Sequence, residues 1–562
     1  MPPQTLVQPV VDRARQSPQQ LALTFIYENG AVENVLVGQF HEEATAYAYA
    51  LQRIGVASGD LVILVLQHSR VLLSAFWGAL YLGAVPSIFP FLTEKLDPTV
   101  YKERLRALIL RAEARAVITF PAFQEELQAL LSDADCQVLS TEDVIVTAVS
   151  PLHTFAYPTA ADQIAFLQHS SGTTGLQKGV ALTHRAILNQ IHAYSQAIAL
   201  RSDDVVVSWL PLYHDMGLIA GFVMPLVTGV PLVLLSPFHW VRDPKSLLWA
   251  IHNHKGTLCW LPNFAYNHTV RSIRQRDLTG LDLSRWRLVI NCSEPVRYDS
   301  HELFRRHFAA YGFRETALAT CYAMAENTFA VTQSAPQQPP HVDWVDRQQL
   351  QKGTAVPLTP NSDRVAPVVS CGWPIIGTEV GVINETQQWL PPRVVGEIVI
   401  RSDCMLHDYY HQPEITQEAF WGDWYCTGDM GYLADGQLYI TGRKKDLIIV
   451  GGKNIYPQDL EAIASSVSGV YPGRVAAFGL QNQRLGTEGI VLVCESTADA
   501  STARQIEREL CRRVVQELDV TLADVRLVEK RWLLKTSSGK VARSANREKY
   551  VREFYDHAEE TN

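Results

Sequence analysis

Hydrophobic positions along this chain alternate between two textures. Short unbroken apolar runs occur at residues 61–66 (LVILVL), 116–119 (AVIT), 205–210 (VVVSWL) and 231–235 (PLVLL). Their length and continuity predict strands buried on both faces. Longer segments with helical character separate them, beginning with residues 71–82 directly after the first run. The alternation predicts an α/β sheet with crossover helices over the first 300 residues. No internal repeat or low-complexity tract interrupts it.

The texture changes at residues 333–341 (QSAPQQPPH), a loop that opens a poorly periodic region lasting to about Val368. Glycine-punctuated strands follow at 378–384 and 396–401 and predict a small β-rich subdomain over about 370–442. A compact α+β C-terminal domain, with a helix at 503–517, is expected to begin at 443 in Arg443-Lys444-Lys445-Asp446. The expected organisation is therefore a large domain, 1–442, and a small one, 443–562.

Composition narrows the function classes. With 47% apolar and 19% charged residues over 562 positions, the chain is too long for one core and too apolar for disorder. Lys and Arg total 49 against 58 Asp and Glu, a net charge of −9 that argues against a nucleic-acid coat or polybasic anchor. The apolar run at 71–85 contains Gly78, and that at 221–237 contains Pro225, Gly229 and Pro231, so no membrane span is expected. Asp12 and Arg13 occupy what would be the apolar core of a signal peptide. The nine cysteines are scattered, odd in number and never in a CxxC pair, which fits a reducing, cytoplasmic setting.

The strongest local motif is residues 166–180, FLQHSSGTTGLQKGV. A strand candidate enters a loop rich in Ser, Thr and Gly that carries one lysine. Glycines let backbone N–H groups converge on an anion, hydroxyls add donors, and a lysine neutralises charge. Ser170, Ser171, Gly172, Thr173, Thr174, Gly175 and Lys178 thus form a candidate polyphosphate cradle. The Walker spacing is absent.

This loop resembles the phosphate loop of the adenylate-forming superfamily of acyl-CoA synthetases, luciferases, adenylation domains and fatty acyl-AMP ligases. Relatives usually carry Pro where this chain has Gln177. Further stations follow in family order. Asn291-Cys292-Ser293-Glu294-Pro295 resembles the turn lining the adenine, with Cys292 and Ser293 in place of smaller residues. Tyr322-Ala323-Met324-Ala325-Glu326 resembles the motif whose tyrosine stacks on adenine and whose glutamate helps hold Mg²⁺. In Tyr425-Cys426-Thr427-Gly428-Asp429, the resemblance gives Asp429 the ribose hydroxyls. It places Arg443 near ribose or phosphate and makes Lys445 a hinge. In residues 534–543 (LKTSSGKVAR), it makes Lys540 the lysine delivered to the carboxylate and α-phosphate. The implied fold is a large adenylate-forming domain with a small mobile lid, and the implied cofactors are ATP and Mg²⁺.

Four segments are similar to fatty acyl-AMP ligases more than to CoA ligases: residues 209–218, 261–266, 294–297 and 456–461. Glu326 and Gly372 are also 46 positions apart. The surplus around 341–368 resembles the insertion that braces the C-terminal domain of acyl-AMP ligases and hinders the rotation needed for CoA thioester formation. The Gly451-Gly452 pair is instead typical of CoA synthetases.

Candidate acyl-lining residues are Tyr213, Met216, Ile219, Phe222 and Phe264. His214 either gates the pocket, orients the carboxylate or is a satisfied structural histidine. Residues 526–552 carry nine basic side chains and a local excess of +7. That excess suits ATP, an acidic carrier protein or a solvated face. The resemblance thus implies a fatty acyl-AMP ligase serving a separate acyl carrier protein in lipid or polyketide–peptide biosynthesis. The rival readings are an acyl-CoA synthetase and a non-catalytic adenylate-binding protein.

Overall fold

The structure is a computed structural model that describes residues 3–92, 98–144, 157–169, 178–450, 453–482, 487–536 and 539–555. The chain divides into two compact units. One comprises Met1–Pro340, Gly372–Glu379 and Arg401–Asp423; the other comprises His341–Cys371, Val380–Ile400 and Trp424–Asn562.

Among the described residues, two large sheets lie in the first unit. In the seven-stranded one the order is Asp408–Tyr409, Gly179–Thr183, Ile164–His169, Val85–Ile88, Leu61–Val65, Ala116–Thr119, Gln137–Ser140. Every residue of Leu61–Val65 is buried, and this strand runs parallel to both neighbours. A strand covered on both faces needs no polar alternation, which is why it reads as one apolar run. The second sheet has nine strands. Its interior runs Leu318–Ala323, Leu288–Asn291, Leu258–Leu261, Val206–Ser208, Leu232–Leu235 and Leu21–Ile26, each pair parallel.

The segment predicted helical at 71–82 is the helix Arg70–Leu82. Ser69 caps it by accepting from Leu72 N, and Gly83, at φ 76°, ends it. Gly78 marks the close approach of the helix Val37–Arg53: a Cβ there would lie 2.5 Å from Tyr47 Cβ and 2.6 Å from Ala44 O. Among the described residues no helix is long and apolar enough to cross a membrane.

In the second unit, Gly396–Ser402, Trp424–Ala434 and Gln437–Arg443 run antiparallel side by side. A separate sheet joins Val470–Asn482, Thr487–Ser496 and Leu522–Val528. The helices Pro457–Ser465 and Ala500–Leu518 contribute Leu460, Leu510 and Val514 to the core over that sheet, with Val475 and Leu492. The region expected to be poorly periodic holds a hairpin, Val342–Asp346 with Val365–Val369, and a short helix, Arg347–Gln351. The hairpin escaped the apolar pattern because its strands bury acids. Asp343, 5% exposed, is bonded by Arg393 Nη1 and Tyr432 OH, both at 2.8 Å.

Burial pushes the imidazoles of His68, His169, His184 and His301 down to about 4 from an ordinary 6.5. Each is neutral in the folded protein and takes up a proton near 6.5 once unfolded. The stability they contribute is complete above that pH and is lost as pH falls towards 4, at about 1.4 kcal/mol per pH unit per histidine. Carboxylates act lower: Asp499, held at about 2 by the Thr502 N–H at the start of its helix, enters only below 3.8. The melting temperature should therefore fall steadily from pH 6.5 to 4. A flat profile would show that solvent reaches these rings.

Candidate active site

Candidate residues of the first unit gather at the ends of strands. Lys178, the lysine of the candidate phosphate loop, stands immediately before the strand Gly179–Thr183. Ser170, Ser171, Gly172, Thr173, Thr174 and Gly175 lie outside the described residues. Strand Leu318–Ala323 ends in Tyr322 and Ala323, and Tyr322 is 8% exposed. Met324 N donates to Phe329 O at 2.8 Å, closing a tight turn that contains Glu326.

Two contacts link Glu326 to residues that the motifs did not single out. Tyr409 OH donates to Glu326 Oε1 at 3.0 Å, and Leu406 N donates to Glu326 O at 2.7 Å. The ring of Tyr409 also lies under Lys178, with Nζ 4.5 Å from the centroid. Tyr409 had no signal in the sequence beyond standing in a tyrosine pair, because its strand is two residues long.

Among the described residues, no group of three or more His, Cys, Asp or Glu side chains could enclose a metal ion. Glu326 is a lone carboxylate held by a phenol. This donor set fits Mg²⁺, which takes one or two carboxylates and fills its octahedron with phosphate oxygens and water.

The turn at 291–295 is positioned by a buried amide network. Asn291 Nδ2 donates to Asn263 Oδ1 at 3.1 Å and to His301 Nε2 at 2.9 Å, and Arg297 N donates to the same Asn263 oxygen at 3.0 Å. The lowered pKa keeps His301 neutral, as an acceptor must be. Ser293 adopts φ 65°, a left-handed geometry, and the following Glu294 reaches the N-terminus of the helix Asn263–Ser272. Glu294 Oε2 accepts from Phe264 N at 2.9 Å, and Pro295 is exposed.

The acyl candidates separate. Met216, Ile219 and Phe222 lie on the π-helical stretch Met216–Val223, where Met224 N bonds Ile219 O. Such stretches are uncommon and concentrate at functional sites. Met216 Sδ touches Cys292 Sγ of the 291–295 turn. Phe222 instead packs edge-on to Phe76 and Trp77, at 6.0 and 5.8 Å. Phe264 is 41% exposed and meets the stacked Trp209–Trp240 pair, whose centroids are 3.7 Å apart. Burial pushes the Tyr213 phenol up to about 12. His214 Nδ1 is 2.5 Å from Asp215 Oδ1, so its ring is already oriented by its neighbour.

In the second unit, Asp429 and Arg443 face each other across the hairpin, with Arg443 Nε 3.2 Å from Asp429 Oδ1. Asp429 N donates to Thr427 Oγ1 at 3.1 Å. Beside them Lys444 pairs with Glu397 at 2.7 Å, which raises the lysine pKa, and the hinge candidate Lys445 follows in the same short helical turn. Lys540 is bonded twice to Thr536: Thr536 N donates to Lys540 O at 2.8 Å and Lys540 N to Thr536 Oγ1 at 3.1 Å.

In the same unit Arg347, Gln351 and Lys453 reach the C-terminal end of the helix Ala500–Leu518. Arg347 Nη1 donates to Glu517 O at 2.6 Å, Gln351 Nε2 to Leu518 O at 3.0 Å, and Lys453 Nζ to Asp519 O at 2.7 Å. The last carbonyls of a helix have no partner within it and carry partial negative charge. Three successive ones are thus satisfied from outside the helix. Gly451 and Gly452, just before Lys453, lie outside the described residues.

Residues 10–410 match the AMP-binding enzyme family. The chain is 32% identical to the medium-chain-fatty-acid–[acyl-carrier-protein] ligase JamA of Moorena producens, over 97% of this chain and 95% of the relative. It is 31% identical to the long-chain-fatty-acid–AMP ligase FadD26 of Mycobacterium marinum, over 96% of each. A solved structure from the fatty acyl-adenylate ligases of E. coli and L. pneumophila superposes with TM-score 0.89 at 30% identity, covering 98% of both chains.

Proposed function

Because the chain belongs to the AMP-binding enzyme family, and within it to the fatty acyl-AMP ligases, we propose that it activates a fatty acid with ATP. The carboxylate attacks the α-phosphate, pyrophosphate leaves, and the acyl adenylate passes its acyl group to the phosphopantetheine thiol of a separate carrier protein in the cytoplasm. JamA, named for ligation to an acyl carrier protein, supports this choice of acceptor.

The phosphate loop with Lys178 holds the polyphosphate, and Glu326 holds Mg²⁺. When bound, that ion neutralises charge on the leaving pyrophosphate. Tyr322, Ala323, Met324 and the Ser293–Pro295 turn seat the adenine. Asp429 and Arg443 take the ribose, His214 orients the carboxylate, and Lys540 stabilises the charge that develops at phosphorus. Residues 443–562 act as the mobile lid, with Lys445 as its hinge.

The observation that carries the acceptor reading is the clasp of Arg347 and Gln351 on the carbonyls of Glu517 and Leu518. It ties the 341–368 insertion to the C-terminal residues and restrains the movement that CoA would require. The CoA reading keeps one argument, the Gly451-Gly452 pair.

Product identification separates them. Wild type with ATP, Mg²⁺, a fatty-acid panel and CoA should accumulate acyl-AMP without acyl-CoA. An Arg347→Ala/Gln351→Ala variant should then form acyl-CoA at a measurable rate. Efficient acyl-CoA synthesis by the wild type would overturn the acceptor assignment.

A further inference from the structure

Residues 404–410 stitch two parts of the site together. On one side, Leu406 N bonds Glu326 O at 2.7 Å, and Thr328 Oγ1 donates to Cys404 O at 2.7 Å. On the other, His407 N bonds Ala181 O and Tyr410 N bonds Gly179 O, both at 2.8 Å. Tyr409 lies between these attachments, opposite Val180, and its backbone N–H donates to Thr416 Oγ1 at 2.9 Å. With main chain anchored on both sides, its side chain is fixed in place at 2% exposure.

That side chain meets two groups of opposite charge. The hydroxyl donates to the Glu326 carboxylate at 3.0 Å, and the ring face lies 4.5 Å from the Lys178 ammonium. A phenylalanine would fill the same core volume, so packing alone does not call for the hydroxyl. The hydrogen bond to a carboxylate is charge-assisted and selects one orientation of that group. It also pushes electron density into the ring and strengthens the face presented to the cation. An aromatic face holds an ammonium without supplying a formal countercharge, so the lysine keeps its charge for an anion.

We propose that Tyr409 is a positioning residue for adenylation: its hydroxyl aims the Glu326 carboxylate at the metal, and its ring steadies Lys178 for the nucleotide phosphates. The inference rests on the roles proposed above for Glu326 and Lys178. Because one side chain serves both groups, their placements are coupled.

The test measures Mn²⁺ affinity by electron paramagnetic resonance in the full-length protein with α,β-methylene-ATP and no fatty acid, so that no turnover is involved. Tyr409→Phe should weaken Mn²⁺ binding roughly 10-fold, the scale expected when a partner of a metal ligand is removed. Its nucleotide affinity at saturating Mn²⁺ should stay within about 2-fold of the wild-type value, because the ring itself remains under Lys178. Tyr409→Leu should show the same metal loss and, in addition, nucleotide binding weakened about 2- to 5-fold as the cation–π contact disappears. Glu326→Gln is the control for the underlying reading. If it weakens Mn²⁺ binding while Tyr409→Phe does not, the positioning role is overturned and the metal role stands. If Glu326→Gln leaves Mn²⁺ binding unchanged, the metal role fails and the inference falls with it. A Tyr409→Phe protein that melts early and loses metal and nucleotide together would make Tyr409 a packing residue.

Discussion

Replacing Lys540 by alanine should slow acyl-adenylate formation by roughly 10²–10³-fold, the scale for removing one preorganised donor from a developing oxyanion. The attack adds negative charge to a pentavalent phosphorus centre, and an ammonium that interacts more strongly there than with ground-state ATP lowers the barrier selectively. The backbone of Lys540 is bonded to both the N–H and the hydroxyl of Thr536, so truncating the side chain leaves these bonds in place. ATP affinity should accordingly change little. Fatty-acid-dependent exchange of pyrophosphate into ATP measures the first half-reaction. Transfer from supplied acyl-AMP to a carrier thiol measures the second, which should survive. A mutant that adenylates at the wild-type rate removes Lys540 from the catalytic set.

Arg543→Ala should loosen the C-terminal residues by about 3 kcal/mol, the lower end for breaking a buried ion pair because the guanidinium keeps some solvent contact. Arg543 Nη1 is 2.8 Å from Asp446, and its Nε and Nη2 form a fork on Glu461 at 2.8 and 2.7 Å. The two carboxylates hold the guanidinium pKa above its ordinary value against the effect of burial. Alanine would deprive both acids of their guanidinium, leaving Glu461 the Ala477 N–H at 3.3 Å, while removing the tie between the helices Arg543–Tyr550 and Pro457–Ser465. Hydrogen exchange resolves such local openings: amides of both helices should lose about two orders of magnitude in protection. Arg543→Lys keeps the charge but not the fork, and should fall between the two. Unchanged protection in the alanine variant would show that the acids find other donors.

Arg543 also shows how far the chain could be read without coordinates. Counted along the sequence it belongs to a run of nine basic residues, but in the structure it is spent on internal acids. Lys549 likewise bonds Trp532 O at 2.9 Å with its ammonium over that indole. Linear charge counts register sign and spacing but not partners. Parallel strands and their helices were legible because burial on both faces leaves a continuous apolar imprint, as in Leu61–Val65 followed by Arg70–Leu82. The motifs around Glu326, Asp429 and Lys540 stand out in the sequence because the chemistry proposed for them restricts residue type over several neighbouring positions. Tyr409 does not, since what distinguishes it is set by pairing across 83 positions to Glu326. The hairpin Val342–Asp346 with Val365–Val369 was hidden by its own buried acids.

The clasp on the helix Ala500–Leu518 has a consequence for how this protein varies. Arg347 and Gln351 grip main-chain oxygens, so they ask nothing of the side chains at Glu517 and Leu518. The grip itself therefore leaves the side chain at 517 unconstrained, while that at 518 is held only by the core it fills. Correlated substitution, which exposes contacts between side chains, should therefore be silent between the insertion and the carbonyls it holds. The bond is inherited through the donors alone.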